Sequence, residues 1–201
     1  MVAREIKKDN RCDLFAATPP IEAMRTIVSI AASKYKKQAT QKLMLCDVKR
    51  AYFYAAARRK VFVNICDEDY QEGDEHMCGE LLLSMYGTRD AAQNWAEEYS
   101  SHLIKIGFAQ GISNPCLFHH RERSISTMVH GGDYFSTADS DQLQWMKREL
   151  EARFEIKTSI IGGENGDLKK MRVLNRIFEW TDGGITYEPD ARHAEIIVRD
   201  L

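Results

Sequence analysis

The apolar positions of the chain fall into two kinds of run, one with helical spacing and one with strand spacing. Ile21, Met24, Ile27, Val28 and Ala31 recur at intervals of three and four, which gathers them on one side of a helix. Thr18-Pro19-Pro20 precedes them; a threonine can cap, and proline is tolerated in a first turn whose amides lack helical partners, so a helix is predicted over IEAMRTIVSIAASKY. A second is predicted over Asp90 to Ile106, where Ala91, Trp95, Tyr99, Leu103 and Ile106 share a face and Gly107 supplies the stop. A third starts at a cap on Asp139 or Ser140 and runs through Phe154, with Leu143, Met146, Leu150 and Phe154 inward.

Strand patterns lie between these helices. Leu43 to Val48 is a short apolar run suited to a buried strand, and Val61 to Ile65 is another. A polar, basic connector from Lys34 to Lys42 leads into the first, and an acidic loop from Asp67 to Glu75 follows the second. Ser124 to His130 and Asp133 to Ala138 are β-prone arms separated by Gly131-Gly132, a pair suited to the positive φ angles of a tight hairpin turn. The chain closes with a strand from Met171 to Trp180, a turn at Asp182-Gly183-Gly184 and a strand from Ile185 to Tyr187. This order predicts an α+β fold in one domain, an antiparallel sheet with helices packed on one face.

Composition changes this picture little. At 201 residues, 44% hydrophobic and 29% charged, the chain can bury a core of its own. It has no long apolar span and no signal segment, so an intracellular protein, cytoplasmic or nuclear and with no membrane partner, is expected. Five cysteines form no C-x-x-C pair and read as reduced thiols; Cys66, His76 and Cys78 lack a fourth ligand at zinc-site spacing. The net charge of -2 conceals an asymmetry, with 14 Lys and Arg against 5 Asp and Glu in residues 1–60 and 14 against 25 in the remainder. A basic face that tracks phosphates is one reading, and a set of solvated lysines is the other.

Two acidic positions stand out. Asp47 ends the apolar strand, and Asp133 opens the second arm of the Gly-Gly hairpin, so each carboxylate sits on rigid backbone. If the two strands are neighbours, the pair can share a divalent ion, since magnesium takes oxygen ligands and keeps waters and substrate phosphates around it. On spacing alone, ordinary strand-end acids remain the other reading.

The stretch Cys46-Asp47-Val48-Lys49-Arg50-Ala51-Tyr52-Phe53 resembles the first catalytic motif of copia-type reverse transcriptases, D-V-x-x-A-[FY]. Leu83 to Trp95, LSMYGTRDAAQNW, resembles that family's S-L-Y-G-L-K-Q-A-P-R-x-W block, and Gly107-Phe108 with Ser113-Asn114-Pro115-Cys116-Leu117-Phe118 is similar to its G-F and A-D-P-C-L-F. Arg172 to Arg176 falls where the family carries its primer grip. The resemblance implies a polymerase palm with partial fingers and thumb: a remnant of fingers at 1–17, palm at 18–160, primer grip and start of thumb at 161–201. It also implies an RNA-directed DNA polymerase from a retrotransposon polyprotein, acting in the cytoplasm within a virus-like particle or in the nucleus. Partners would be an RNA or DNA template with primer, deoxynucleoside triphosphates, and the polyprotein's integrase and ribonuclease H. By the same resemblance Asp47 and Asp133 hold Mg2+ or Mn2+ in two-metal transfer, Tyr52 excludes a 2'-hydroxyl, and Tyr86, Gly87 and Arg89 form the floor beneath template and nucleotide. Arg4, Lys49 and Arg50 would contact nucleic acid.

Two departures matter. Where the family has Y-x-D-D, this chain reads His130-Gly131-Gly132-Asp133, so the first of the paired aspartates is Gly132. The turn is kept and a ligand is lost, and removing one electrostatic contributor of this kind commonly costs about 10²- to 10³-fold in rate. Ala92 stands in place of a proline at the start of the second helix. The expectation is a polymerase domain with impaired catalysis; the alternative is a non-catalytic remnant acting at most as a nucleic-acid or protein binding module.

Overall fold

The computed structural model describes residues 4–6, 14–33, 41–74, 76–189 and 191–200. Most of the basic connector (34–40), Cys12 and Glu75 lie outside these residues. The chain divides into two compact units, Thr18–Lys49 with Gly107–Leu201 and Met1–Ala17 with Arg50–Ile106.

The first unit is built on a six-stranded antiparallel sheet in the order β4-β5-β6-β7-β1-β8. The strands are β1 (Gln41–Val48), β4 (Ala109–Gln110), β5 (Leu117–His120), β6 (Ile125–His130), β7 (Asp133–Asp139) and β8 (Ile156–Ile161). The β6–β7 hairpin forms at the predicted place, with Gly131 at φ +58 in its two-residue turn. Val48 N–H donates to the Gly132 carbonyl at 2.9 Å, which ties the tip of that hairpin to the end of β1.

The expectation of helices on one face of the sheet is corrected. Helix α1 (Ile21–Ala32) buries Ala23, Met24, Ile27, Val28 and Ala31 in one core with Leu43, Met128 and Phe135. Side chains alternate along a strand, so this is the face of Leu43, Leu45 and Asp47. Helix α3 (Ser140–Glu151) covers the opposite face: its Trp145 packs against His120, and the charges of Lys147 and Glu151 act on Cys46. The physical reason is in β1 itself. Leu43, Met44 and Cys46 are all fully buried, so both parities of the strand need cover.

Further departures are local. The N-cap of α1 is Pro20, without a side-chain cap bond, rather than Thr18, and α3 ends at Glu151 with Phe154 buried beyond it. Lys42, placed by pattern in the polar connector, is a buried β1 residue whose Nζ donates to Glu164 and Asp167, each at 2.7 Å. The single strand expected from Met171 to Trp180 is a hairpin, β9 (Lys170–Val173) and β10 (Arg176–Thr181), turning at Leu174 and Asn175 with φ of 46 and 59. It continues into β11 (Gly184–Pro189), and Met171, Val173 and Phe178 join the core under α1. Helix α4 (Arg192–Asp200) follows.

The second unit contains the hairpin β2 (Phe62–Asn64) and β3 (Cys78–Glu80), a short 3-10 turn at Ala51–Tyr54, and helix α2 (Ala91–Lys105). Trp95 and Tyr99 are buried and meet edge to face at 5.5 Å, as expected of core residues. Among the described residues no helix is long and apolar enough to cross a membrane.

Candidate functional site

The register of the sheet brings Asp47 and Asp133 together. Seven consecutive pairs hold β1 against β7, and the last of them is Asp47 opposite Asp133. Directly opposed residues in an antiparallel pair put their side chains on the same face, a few ångströms apart. The same level continues outward on both sides, with His130 of β6 opposite Asp133 and Lys157 of β8 opposite Asp47. Four titratable residues, His130, Asp133, Asp47 and Lys157, thus stand in one row across four adjacent strands.

Electrostatically the row is not at rest. Burial, and then the negative charge of Asp47, push the Asp133 carboxyl up to about 6, while His130 pulls it the other way. The Asp47 charge opposes ionisation of Asp133, and a cation set between the two would relieve it. Gly132 offers only its backbone, and its carbonyl is engaged by Val48. Among the described residues no three His, Cys, Asp or Glu side chains converge as a metal cage. With no side chain at Gly132, the pair falls short of the three carboxylates that a two-metal centre takes.

The other predicted residues lie elsewhere. Lys49 follows β1 and pairs with Glu155, both half exposed. Arg50 begins the second unit in a left-handed conformation, φ 53 and ψ 42, and is exposed. In that unit Tyr52 and Tyr86 stack at 4.3 Å between centroids, with Phe53 edge-on to Tyr86 at 5.9 Å. Burial and then Tyr86 raise the Tyr52 hydroxyl above the usual phenol range. Gly87 has φ +93, which only glycine adopts without strain. Its carbonyl accepts from Glu5 N–H, and Glu5 in turn accepts from the backbone of Arg89 and the side chain of Arg59. Burial alone would raise Glu5; those donors outweigh it and hold the carboxyl below its usual range. Arg4 lines a cavity of about 520 Å³ with Glu5, Phe62, Asn64, Cys66 and Thr88.

Pattern reading passed over His130 and Lys157 as site neighbours. A two-residue turn at Gly131-Gly132 already pairs His130 with Asp133, so that signal was present. Lys157 was hidden because its strand was not anticipated.

The unit that carries the row is an antiparallel sheet with helices on both faces and a carboxylate pair at one strand end. No protein-family model matches the chain. Over 149 residues it is 22% identical to a retrovirus-related Pol polyprotein from transposon TNT 1-94 of Nicotiana tabacum, covering 72% of this chain and 11% of the polyprotein. The chain thus spans about a tenth of that relative's length. In fold it resembles apo telomerase from Candida tropicalis truncated from its C-terminal domain. The TM-score is 0.52 at 12% identity, over 86% of this chain and 41% of that one. The chain is a distant partial relative of a retrotransposon polyprotein and shares its fold with part of telomerase.

Proposed function

We propose that this chain is the palm region of a copia-type reverse transcriptase domain, in which nucleotidyl transfer is impaired by Gly132. The observation that carries the reading is the pairing of Asp47 with Asp133 at the hairpin level of the sheet. The likenesses to a transposon polyprotein and to telomerase support it.

On this reading Asp47 and Asp133 hold a divalent ion, Mg2+ or Mn2+, whose chemistry is to activate a primer hydroxyl and neutralise a triphosphate. Tyr52 is the sugar gate, kept flat by its stack on Tyr86. Gly87 and Arg89 form the floor beneath template and nucleotide, and Arg4, Lys49 and Arg50 meet phosphates of template and primer. Integrase and ribonuclease H are the expected polyprotein neighbours. Gly132 also supports a second reading, a non-catalytic remnant that binds nucleic acid or protein.

Primer extension on the purified chain, with Mg2+ or Mn2+, is expected to give no detectable product. A Gly132→Asp version carrying an added copia-type fingers segment is expected to extend. Extension by the unaltered chain overturns the impairment, and continued silence of the restored version favours the remnant.

A further inference from the structure

We infer that the open edge of the β2–β3 hairpin is a docking site for an extended peptide of a partner protein. The peptide adds to β2 as an antiparallel third strand, basic at its N-terminal end and acidic at its C-terminal end. Nothing in this placement depends on an ion at Asp47 and Asp133.

Register defines the edge. β2 pairs with β3 alone, Phe62 opposite Glu80 and Asn64 opposite Cys78. One residue earlier, Leu81 N–H donates to the Val61 carbonyl at 2.9 Å, so Val61 and Leu81 are a hydrogen-bonded pair of this ladder. Bonded and non-bonded pairs alternate in an antiparallel ladder, which turns the N–H and carbonyl of Phe62 and of Asn64 away from β3. Among the described residues nothing bonds to these groups. Outward amides and carbonyls two residues apart are what an added strand engages.

A slot runs beside them. Every residue from Val61 to Cys66 lines one cavity of about 520 Å³, which Arg4, Glu5, Met85 and Thr88 also line. Side chains alternate between the faces of a strand, so a cavity lined by consecutive residues follows its edge and not one face. Glu5 is fixed there: its N–H donates to the Gly87 carbonyl, and its carboxylate accepts from Arg59 and from Arg89 N–H. Sheet edges are commonly blunted by proline or charge, and Val61-Phe62-Val63-Asn64-Ile65 carries neither.

Charge at the two ends decides the partner. Lys60 stands exposed before the edge, whereas Arg58 and Arg59 beside it are already paired, with Glu97 and with Glu5 and Asp90. Asp67, Glu68 and Asp69 stand exposed after it. An antiparallel peptide starts over these acids and finishes over Lys60, so lysine or arginine at its start and an acid at its end meet opposite charge. Val61, Val63 and Ile65 are half-buried while Phe62 and Asn64 are exposed, so its middle alternates apolar and polar residues in the same way.

The probe is a synthetic peptide as long as the stretch Lys60–Asp67, with valine and threonine alternating between N-terminal lysines and a C-terminal glutamate. Titrated into the full chain, it is expected to shift the amide NMR signals of Phe62 and Asn64 and to slow their hydrogen exchange. A peptide with its charged ends exchanged is expected to bind about tenfold more weakly at low salt, a difference that shrinks at high salt. N-methylation at the peptide amides that face β2 should abolish binding, and N-methylation at the alternate amides should leave it. Phe62→Pro removes an N–H that the hairpin does not use, so binding should be lost with the melting curve unchanged. No binding by either peptide, equal affinity for exchanged ends, or binding that survives methylation of the facing amides overturns the inference. Self-association of the chain that Phe62→Pro abolishes also overturns it, by making a second copy the occupant.

Discussion

The two ends of strand β1 handle charge in opposite ways. At the start, the buried Lys42 ammonium is held by Glu164 and Asp167. Burial alone would lower the lysine and raise the aspartate; their mutual hydrogen bonds outweigh it, so Lys42 is raised and Asp167 lowered. Gly162 completes this end, since a Cβ there would lie 2.4 Å from Asp167 Oδ2 and 3.0 Å from the Lys42 chain. At the other end Asp47 faces Asp133, and burial together with the Asp47 charge raises the Asp133 carboxyl. One end fastens the 162–167 loop to the sheet. At the other, ionising Asp133 works against stability.

Removing Lys42 is the largest available break in that contrast. Lys42→Met leaves Glu164 and Asp167 without their cation, and loss of one partner of a buried ion pair is strongly destabilising. Because Glu164 is half exposed, a loss of about 2–4 kcal/mol in urea unfolding is expected. Adding Glu164→Gln and Asp167→Asn should recover most of it, since a wholly neutral replacement leaves no charge stranded. The Asp133 carboxyl, read by carbon-13 NMR, should titrate as before. A cost of under about 0.5 kcal/mol would place Lys42 among ordinary surface pairs and end the comparison.

Asp133→Asn acts at the other end with opposite sign. The folded carboxyl titrates at about 6, above the 3.8 of an unperturbed aspartate, so folding favours its protonated form. Its cost is absent below about pH 4, grows as pH rises to about 6 and is complete above that. In chelator the substitution should be neutral near pH 4 and stabilise by about 1–2 kcal/mol near pH 7.5, after discounting for partial exposure. Asp167 runs the other way, because its lowered carboxyl supplies stability above its unfolded value that is lost on acidification. Thermal melts from pH 4 to 8 on the two Asn variants read both signs. A destabilised Asp133→Asn at pH 7.5 would mean that the carboxylate is satisfied in the fold.

This contrast also divides what pattern could and could not read. Helix α2 and the β6–β7 hairpin were legible because apolar spacing and a Gly-Gly turn act locally. Asp47 was found as a strand-end acid, but its partner depended on register, a property of two strands distant in sequence. Lys42 was misread because a lysine beside a polar connector looks solvated, and the acids that bury it lie more than 120 residues away. The β9–β10 turn escaped because Leu174 and Asn175 adopt left-handed backbone without a glycine to announce it. Cover on both faces of β1 was legible after all, since consecutive apolar residues of both parities at Leu43 to Cys46 require it. The role proposed for the carboxylate pair rests on resemblance and chemistry, with the sheet supplying only the placement.

The smallest effect is expected just past Asp47, at Lys49 and Glu155. Their ammonium and carboxylate meet directly, but both side chains are more than half exposed, so water competes for each charge and salt screens the pair. The backbone bond from Lys49 N–H to the Glu155 carbonyl, at 2.9 Å, needs neither side chain and keeps β1 against β8 whatever replaces them. Lys49→Ala should therefore change unfolding stability by less than about 0.5 kcal/mol. If Lys49 meets phosphate as proposed, the same substitution should weaken binding of a primer–template duplex and flatten its salt dependence by about one unit of slope. A stability loss comparable to that of Lys42→Met would make Lys49 a second fastening and remove it from the nucleic-acid contacts. An unchanged fold with a reduced salt slope would assign its charge to the ligand.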